Sequence, residues 1–331
     1  MTVPSVNALS VAVAAVPAAA VPAAPMPLTP MPLVESRSRV ATVIRDLALL
    51  TRPRIAVMVL ATVAAAAWIT GGPPAEPARL GWLLVGTVLV AASSSIANQI
   101  LERETDRRME RTACRPLAAG RLGTLPAVAA AAVLFVVGFG IANLAGGLGA
   151  AVVAAATWLL YVLVYTPLKP LSPLNTAVGA VAGALPVAIG WFGAGGPARF
   201  MAGDVRATLA VAALGTVLYL WQFPHFMAIA WLYRRQYAAA GLKMLTVVDP
   251  SGLRAAGQAL AASLAMVPAA LVLAVPSGSI RLFLAAAAAT ITYACVTLHF
   301  AVRRDDASAR LLLFTSLGVL LGLLAAAVTL A

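Results

Sequence analysis

Residues 98–115 read NQILERETDRRMERTACR, with Glu102, Glu104, Asp106 and Glu110 set among Arg103, Arg107, Arg108, Arg111 and Arg115. The chain of 331 residues has 11 acidic side chains in all, so this short segment holds a large share of them. On a helix, Asn98, Glu102 and Asp106 recur at every fourth residue and share one face, where their oxygens can converge on a hard cation. The arginines supply fixed positive charge for a phosphorylated ligand. Carboxylates for a metal beside guanidiniums for an anion point to a diphosphate carried on magnesium. An ordinary loop whose arginines enforce topology would explain the arginines alone. It leaves four acids unexplained, because acids contribute little to orientation, and it would not start a polar stripe at Asn98, inside a hydrophobic run.

Two further segments hold polar residues in apolar surroundings. In WQFPHFMAIAWLYRRQYAAAGLKML, residues 221–245, Gln222 and His225 lie on a predicted helix interrupted by Pro224, which frees backbone carbonyls and permits a kink. Taken alone, His225 reads as a core histidine bonded to a neighbouring carbonyl, and Arg234, Arg235 and Lys243 read equally well as determinants of topology. In YTPLKPLSPLNT, residues 165–176, three prolines stiffen a short connection and Lys169 is its one charge. Asn175 is placed either to cap the next helix or to contact a ligand.

The elements that must hold these residues are membrane helices. The chain is 62% hydrophobic and 10% charged, with a mean hydropathy of +0.95, whereas soluble domains carry about 25% charged residues. Runs of roughly 20 apolar residues fall near 54–71, 80–101, 124–143, 147–165, 176–195, 207–231, 254–275, 280–300 and 310–330. The expected fold is therefore all-α, a polytopic membrane protein of about nine transmembrane helices. With loops alternating sides, the Lys and Arg at 37–54, 103–121, 169, 234–254 and 303–310 share one side, and only Arg79, Arg199, Arg206 and Arg281 fall on the other. The basic side faces the cytoplasm. The net charge of +12 is thus topological, aided by anionic lipid, and does not call for nucleic acid. Cys114 and Cys295 are too few for a disulfide framework, and Cys114 reads as a small spacer on the reducing side. Residues 1–34 are free of charge and rich in Ala, Val and Pro, without the basic start of a secretory signal. Residues 1–44 are expected to be a disordered tail ahead of a transmembrane domain at 45–331.

The three polar segments together resemble the protohaem IX farnesyltransferases, the haem branch of the UbiA superfamily of intramembrane prenyltransferases. The resemblance rests on Asn98, Glu102, Asp106, Met109, Arg111, Thr112, Arg115 and Pro116, on Tyr165, Thr166, Lys169, Asn175 and Thr176, then Gly190 and Trp191, and on Trp221, Gln222, Pro224, His225, Phe226, Tyr237, Ala240 and Gly241. The entry sequence LTRPRI at 50–55 also fits, and the likeness covers the chain from about residue 45 onward. The acid ladder is common to the whole superfamily; the Met-x-Arg-Thr-x-x-Arg-Pro continuation and Trp-Gln-x-Pro-His-Phe are particular to the haem branch.

The resemblance implies a UbiA-like prenyltransferase bundle that moves a farnesyl group from farnesyl diphosphate to a vinyl group of haem B. Haem B is then a substrate and not a resident cofactor. Asn98, Glu102 and Asp106 would hold magnesium, with Arg111 and Arg115 beside them in catalysis. Substrate contacts are implied for Tyr165, Lys169, Asn175, Gln222, His225, Arg234, Arg235, Gln236, Tyr237 and Lys243. The same likeness implies a bacterial inner membrane, with the N-terminus and catalytic loops cytoplasmic and haem A synthase or a terminal-oxidase assembly as partners. Two positions depart from the family pattern. Gln236 stands where an acid usually precedes Tyr237, and Pro170 stands where Arg usually follows the lysine. Prenylation of an aromatic ring is the rival within catalysis, and the Trp221–Phe226 motif argues against it. A transporter would place ionisable residues near the bilayer midplane, whereas these collect at helix ends on one side.

Overall fold

The structure, a computed structural model of the chain, describes residues 39–72 and 76–330. Helices α1 (Arg39–Thr51) and α2 (Pro53–Gly71) meet at Arg52, whose backbone is left-handed (φ 51°, ψ 62°). Pro53 has no amide hydrogen to continue the first helix, yet it suits the opening turn of the second. Helix α1 begins at Arg39, so residues 39–44 are helical; the tail before Arg39 lies outside the described residues. Helix α3 (Pro77–Leu101) also opens on a proline and runs into the acidic segment, which folds as α4 (Arg103–Arg107) and α5 (Glu110–Ala113). Helix α6 (Thr124–Leu159) continues through a π turn (Leu160–Tyr165) into α7 (Thr166–Leu168).

Among the described residues, eight helical stretches are long and apolar enough to cross a membrane, where the hydropathy windows predict nine. The difference lies at Thr124–Leu168, 45 residues counted as one stretch but divided at Gly147, where the windows 124–143 and 147–165 place two separate spans. Gly147 reverses its direction with φ 80° and ψ 169°, a conformation that side chains disfavour. A straight helix would hold Phe135 and Trp158 roughly 35 Å apart. Their ring centroids are instead 5.3 Å apart, so the two arms run side by side. Helix α3 packs against both arms: Ser93 Oγ donates to the Ala131 carbonyl at 2.7 Å and accepts from the Trp158 indole at 3.0 Å. A β-carbon at Gly86 would collide with the backbone of Gly138 and Ala142. Close approach of small residues is what membrane helices use for adhesion, since lipid tails are as apolar as leucine.

The chain proceeds through α8 (Asn175–Ala184), α9 (Pro186–Gly193), α10 (Gly196–Met201), α11 (Val205–Leu232), α12 (Arg234–Ala239), α13 (Leu245–Val248), α14 (Leu253–Ala274), α15 (Ile280–Arg303) and α16 (Asp306–Thr329). Pro224 lies inside α11 without ending it. One apolar core joins α11 to α14, α15, α16 and α2; a second joins α2, α3, α6 and α9. Large side chains such as Leu125, Leu144 and Phe314 point outward, as a hydrocarbon surround requires. The site lies between the two cores.

Candidate active site

The helical register of α3 carries past its own end. Glu102 N–H donates to the Asn98 carbonyl at 2.9 Å and Asp106 N–H to the Glu102 carbonyl at 2.7 Å, so Asn98, Glu102 and Asp106 stay stacked on one face. Each meets a cation from another part of the chain. Arg52 Nη2 donates to Asn98 Oδ1 at 2.9 Å, Lys169 Nζ to Glu102 Oε1 at 2.5 Å, and Arg115 Nη1 to both oxygens of Asp106 at 2.8 and 2.6 Å. Asn98 also donates from Nδ2 to Thr166 Oγ1 at 3.0 Å, and Arg52 Nη1 reaches the Tyr161 hydroxyl at 3.3 Å.

Burial and charge compete at each of these groups. Burial would raise the Glu102 carboxyl, but Lys169, with Arg52 and Arg115, holds it below the usual carboxylate range. At Asp106 burial wins, pushing the carboxyl up against the pull of Arg115, with the nearby Glu102 charge adding to the rise. Burial would lower Lys169, and the Glu102 carboxylate instead raises it. The single Arg115 Nη1 lies 2.6 Å from Asp106 and 3.9 Å from Glu102, so one positive centre addresses both carboxylates. Two hard oxygen donors so placed fit a magnesium ion, which takes one or two carboxylates and fills its octahedron with phosphate oxygens and water. Among the described residues no third acid, His or Cys joins them.

Of these residues, Arg52, Glu102, Asp106, Arg115, Tyr161 and Lys169 form the rim of a cavity of about 610 Å³. Arg111 Nη2 donates to the Tyr237 hydroxyl at 2.7 Å and its guanidinium lies over the Tyr233 and Tyr237 rings; Lys169 lies over Tyr165. Along α8 and α9 the wall runs from Asn175 through Gly179 and Gly183 to Ile189, a helical depth of roughly 20 Å. Below the charged rim it is apolar and aromatic, with Trp158, Trp221, Phe226, Leu317 and Leu320.

Comparison with known proteins agrees with this geometry. The profile of the UbiA prenyltransferase family matches residues 59–329. The chain belongs to that family. It is 44% identical over 279 residues to the protoheme IX farnesyltransferase of Rhodopirellula baltica, covering 82% of this chain and 94% of the relative. It is 38% identical over 257 residues to that of Solibacter usitatus, covering 73% and 83%. Among solved structures, a UbiA homolog from Archaeoglobus fulgidus bound to GPP and Mg2+ superposes with a TM-score of 0.62 at 16% identity, over 86% of this chain and 99% of that one. At that identity the likeness concerns the fold.

Within this UbiA prenyltransferase, not every residue singled out from the sequence reaches the cavity. Glu102, Asp106, Arg111, Arg115, Tyr165, Lys169, Asn175, Gln222, His225 and Tyr237 line it. Asn98 is fully buried behind the wall and acts through its bonds to Arg52 and Thr166. Asn175 opens α8 without capping it; its amide donates to the Ser172 and Lys243 carbonyls and ties two loops together. Gln222 likewise donates to the Ala180 and Leu218 carbonyls, pinning α11 to α8. Arg234 is drawn away to Asp306 at 2.9 Å, and Arg235 and Lys243 are exposed off the wall. Gln236 is off the wall too, its Oε1 3.4 Å from the Arg111 amide nitrogen. Arg52, Tyr161 and Ser316 were absent from the sequence-derived site, and only the LTRPRI entry sequence hinted at the first of them.

Proposed function

We propose that this UbiA prenyltransferase transfers the farnesyl group of farnesyl diphosphate to a vinyl group of haem B, giving haem O and diphosphate. The names of the relatives support the substrates, and the observation that carries the reading is a deep apolar cavity with a rim of paired acids and bases. The farnesyl chain lies along the apolar wall with its diphosphate at the rim. Breaking the allylic C–O bond sends its electron pair to the diphosphate, so the barrier falls where negative charge develops. Arg52, Arg111, Arg115 and Lys169 stand there already oriented, and preorganised charge of this kind costs no reorganisation during the step. Glu102 and Asp106, with Asn98 steering Arg52 behind them, would hold magnesium, which would supply further Lewis-acid stabilisation of the leaving group. The aromatic wall excludes water while the vinyl carbon attacks the allylic cation. Water then adds to the new cation next to the porphyrin ring and loses a proton, leaving the hydroxyl. The basic rim faces the cytoplasm of a bacterial inner membrane, the arms of the hairpin cross separately, and the Ala/Pro-rich segment lies outside the catalytic domain.

Mass spectrometry of haem extracted from cells expressing the protein tests this. Haem O is expected with the intact chain and is lost with Glu102→Gln. Prenylated quinone precursors without haem O would overturn the acceptor.

A further inference from the structure

His225 sits in the apolar depth of the cavity, on the α11 face that also carries Trp221. Its Nδ1 is 2.7 Å from Ser316 Oγ on α16. The same Oγ is 2.6 Å from the Leu313 carbonyl, which can only accept. The serine proton therefore lies toward Leu313, and Nδ1 must carry a hydrogen and donate it to Ser316. A neutral imidazole protonated at Nδ1 leaves a lone pair on Nε2. The ring itself is fixed. It stacks on Trp221 with centroids 4.7 Å apart, and the Trp221 indole donates to the Ser316 carbonyl at 2.7 Å. The Tyr293 hydroxyl in turn donates to the Trp221 carbonyl at 2.9 Å, so α15 and α16 both brace this turn of α11. Ser316 is fully buried and nothing else in the site's chemistry uses it.

We infer that His225 takes the iron of the haem substrate as an axial ligand through Nε2, and that Ser316 is the positioning residue that fixes its tautomer and plane. An imidazole whose other nitrogen donates to a fixed acceptor is the arrangement by which proteins aim a metal-binding histidine. Coordination needs no proton release, because Nε2 is already free of hydrogen. It would anchor the macrocycle at its centre, on the wall beneath the rim, and make the enzyme select porphyrins that contain iron. The inference rests on haem B being the acceptor.

The test adds ferric haem, or iron-free protoporphyrin IX, to the full chain in lipid nanodiscs, recording absorption and EPR spectra alongside haem O formation. With His225→Ala the spectrum of imidazole-ligated iron is expected to vanish, and added imidazole to restore it, while iron-free porphyrin binds as before. Ser316→Ala should raise the KM for haem roughly tenfold, as removal of an outer-shell partner does, with kcat less affected. Ser316→Thr should recover it. A haem spectrum identical in His225→Ala and the intact protein would overturn the ligation. So would an equal loss of iron-free porphyrin binding. An intact protein that shows the histidine-dependent spectrum but forms no haem O would overturn the acceptor reading and leave the ligation standing.

Discussion

Asp106 is 1% exposed and its one strong partner is Arg115, so the pair stands or falls together. Removing one member of a buried pair leaves the other charge uncompensated, at a cost of about 3–5 kcal/mol. Asp106→Asn is expected to lower both thermal stability and turnover, the latter about a hundredfold as a charge-stabilising group is lost. Adding Arg115→Gln should recover much of the stability and none of the turnover. Recovery of turnover in the double variant would remove Asp106 from the chemistry. Excess EDTA should likewise abolish activity, and full activity in EDTA would remove the metal. The ladder itself could be read from the sequence because its members lie on one helix and their spacing is their geometry. The contacts of Arg52, Thr166 and Ser316 could not, although the matched segments contain the first two, since they meet Asn98 and His225 across 46, 68 and 91 residues, and no local pattern reports such a contact. Lys243 shows the converse: its backbone N–H donates to the Lys169 carbonyl, but its charge points elsewhere.

Helices carry these residues to the site, and their ends and crossings are where they can be tested. Helix α16, which presents Ser316, begins on a capping box in which Asp305 accepts from Ser308 N–H at 2.8 Å. These hydrogen bonds from Ser308 lower the Asp305 carboxyl from 3.8 to about 2. A depressed carboxylate stabilises the fold above its unfolded value and loses that effect as the pH falls through its folded one. Asp305→Ala should therefore lower the unfolding temperature at pH 7, with the gap closing between about pH 4 and pH 2; a gap independent of pH would sink the cap. Gly86→Leu should push α3 away from the α6 hairpin and reduce both stability and activity, while Gly81→Leu, with open space around it, should change neither. The apolar runs announced these helices plainly. Hydropathy also separates 124–143 from 147–165, and the structure turns between those arms at Gly147 (φ 80°); what a window average does not report is that the reversal rests on the backbone freedom of that one glycine.

The proposed orientation, drawn from the distribution of Lys and Arg, would put one face of the bundle in the cytoplasm with the rim of the cavity opening on it. In a variant with Cys295→Ser, the exposed Cys114 should resist an impermeant thiol reagent in intact cells, and a cysteine at the exposed Ala202 should react. The reverse pattern would invert the map. Between Arg121 and Lys169 the sequence has no charged residue. The far turn of the hairpin thus carries no charge to fix its side, and the basic residues that bracket the pair lie at its near ends alone. Were this stretch to emerge straight, Lys169 would be delivered to the wrong compartment, and every later helix would be threaded upside down.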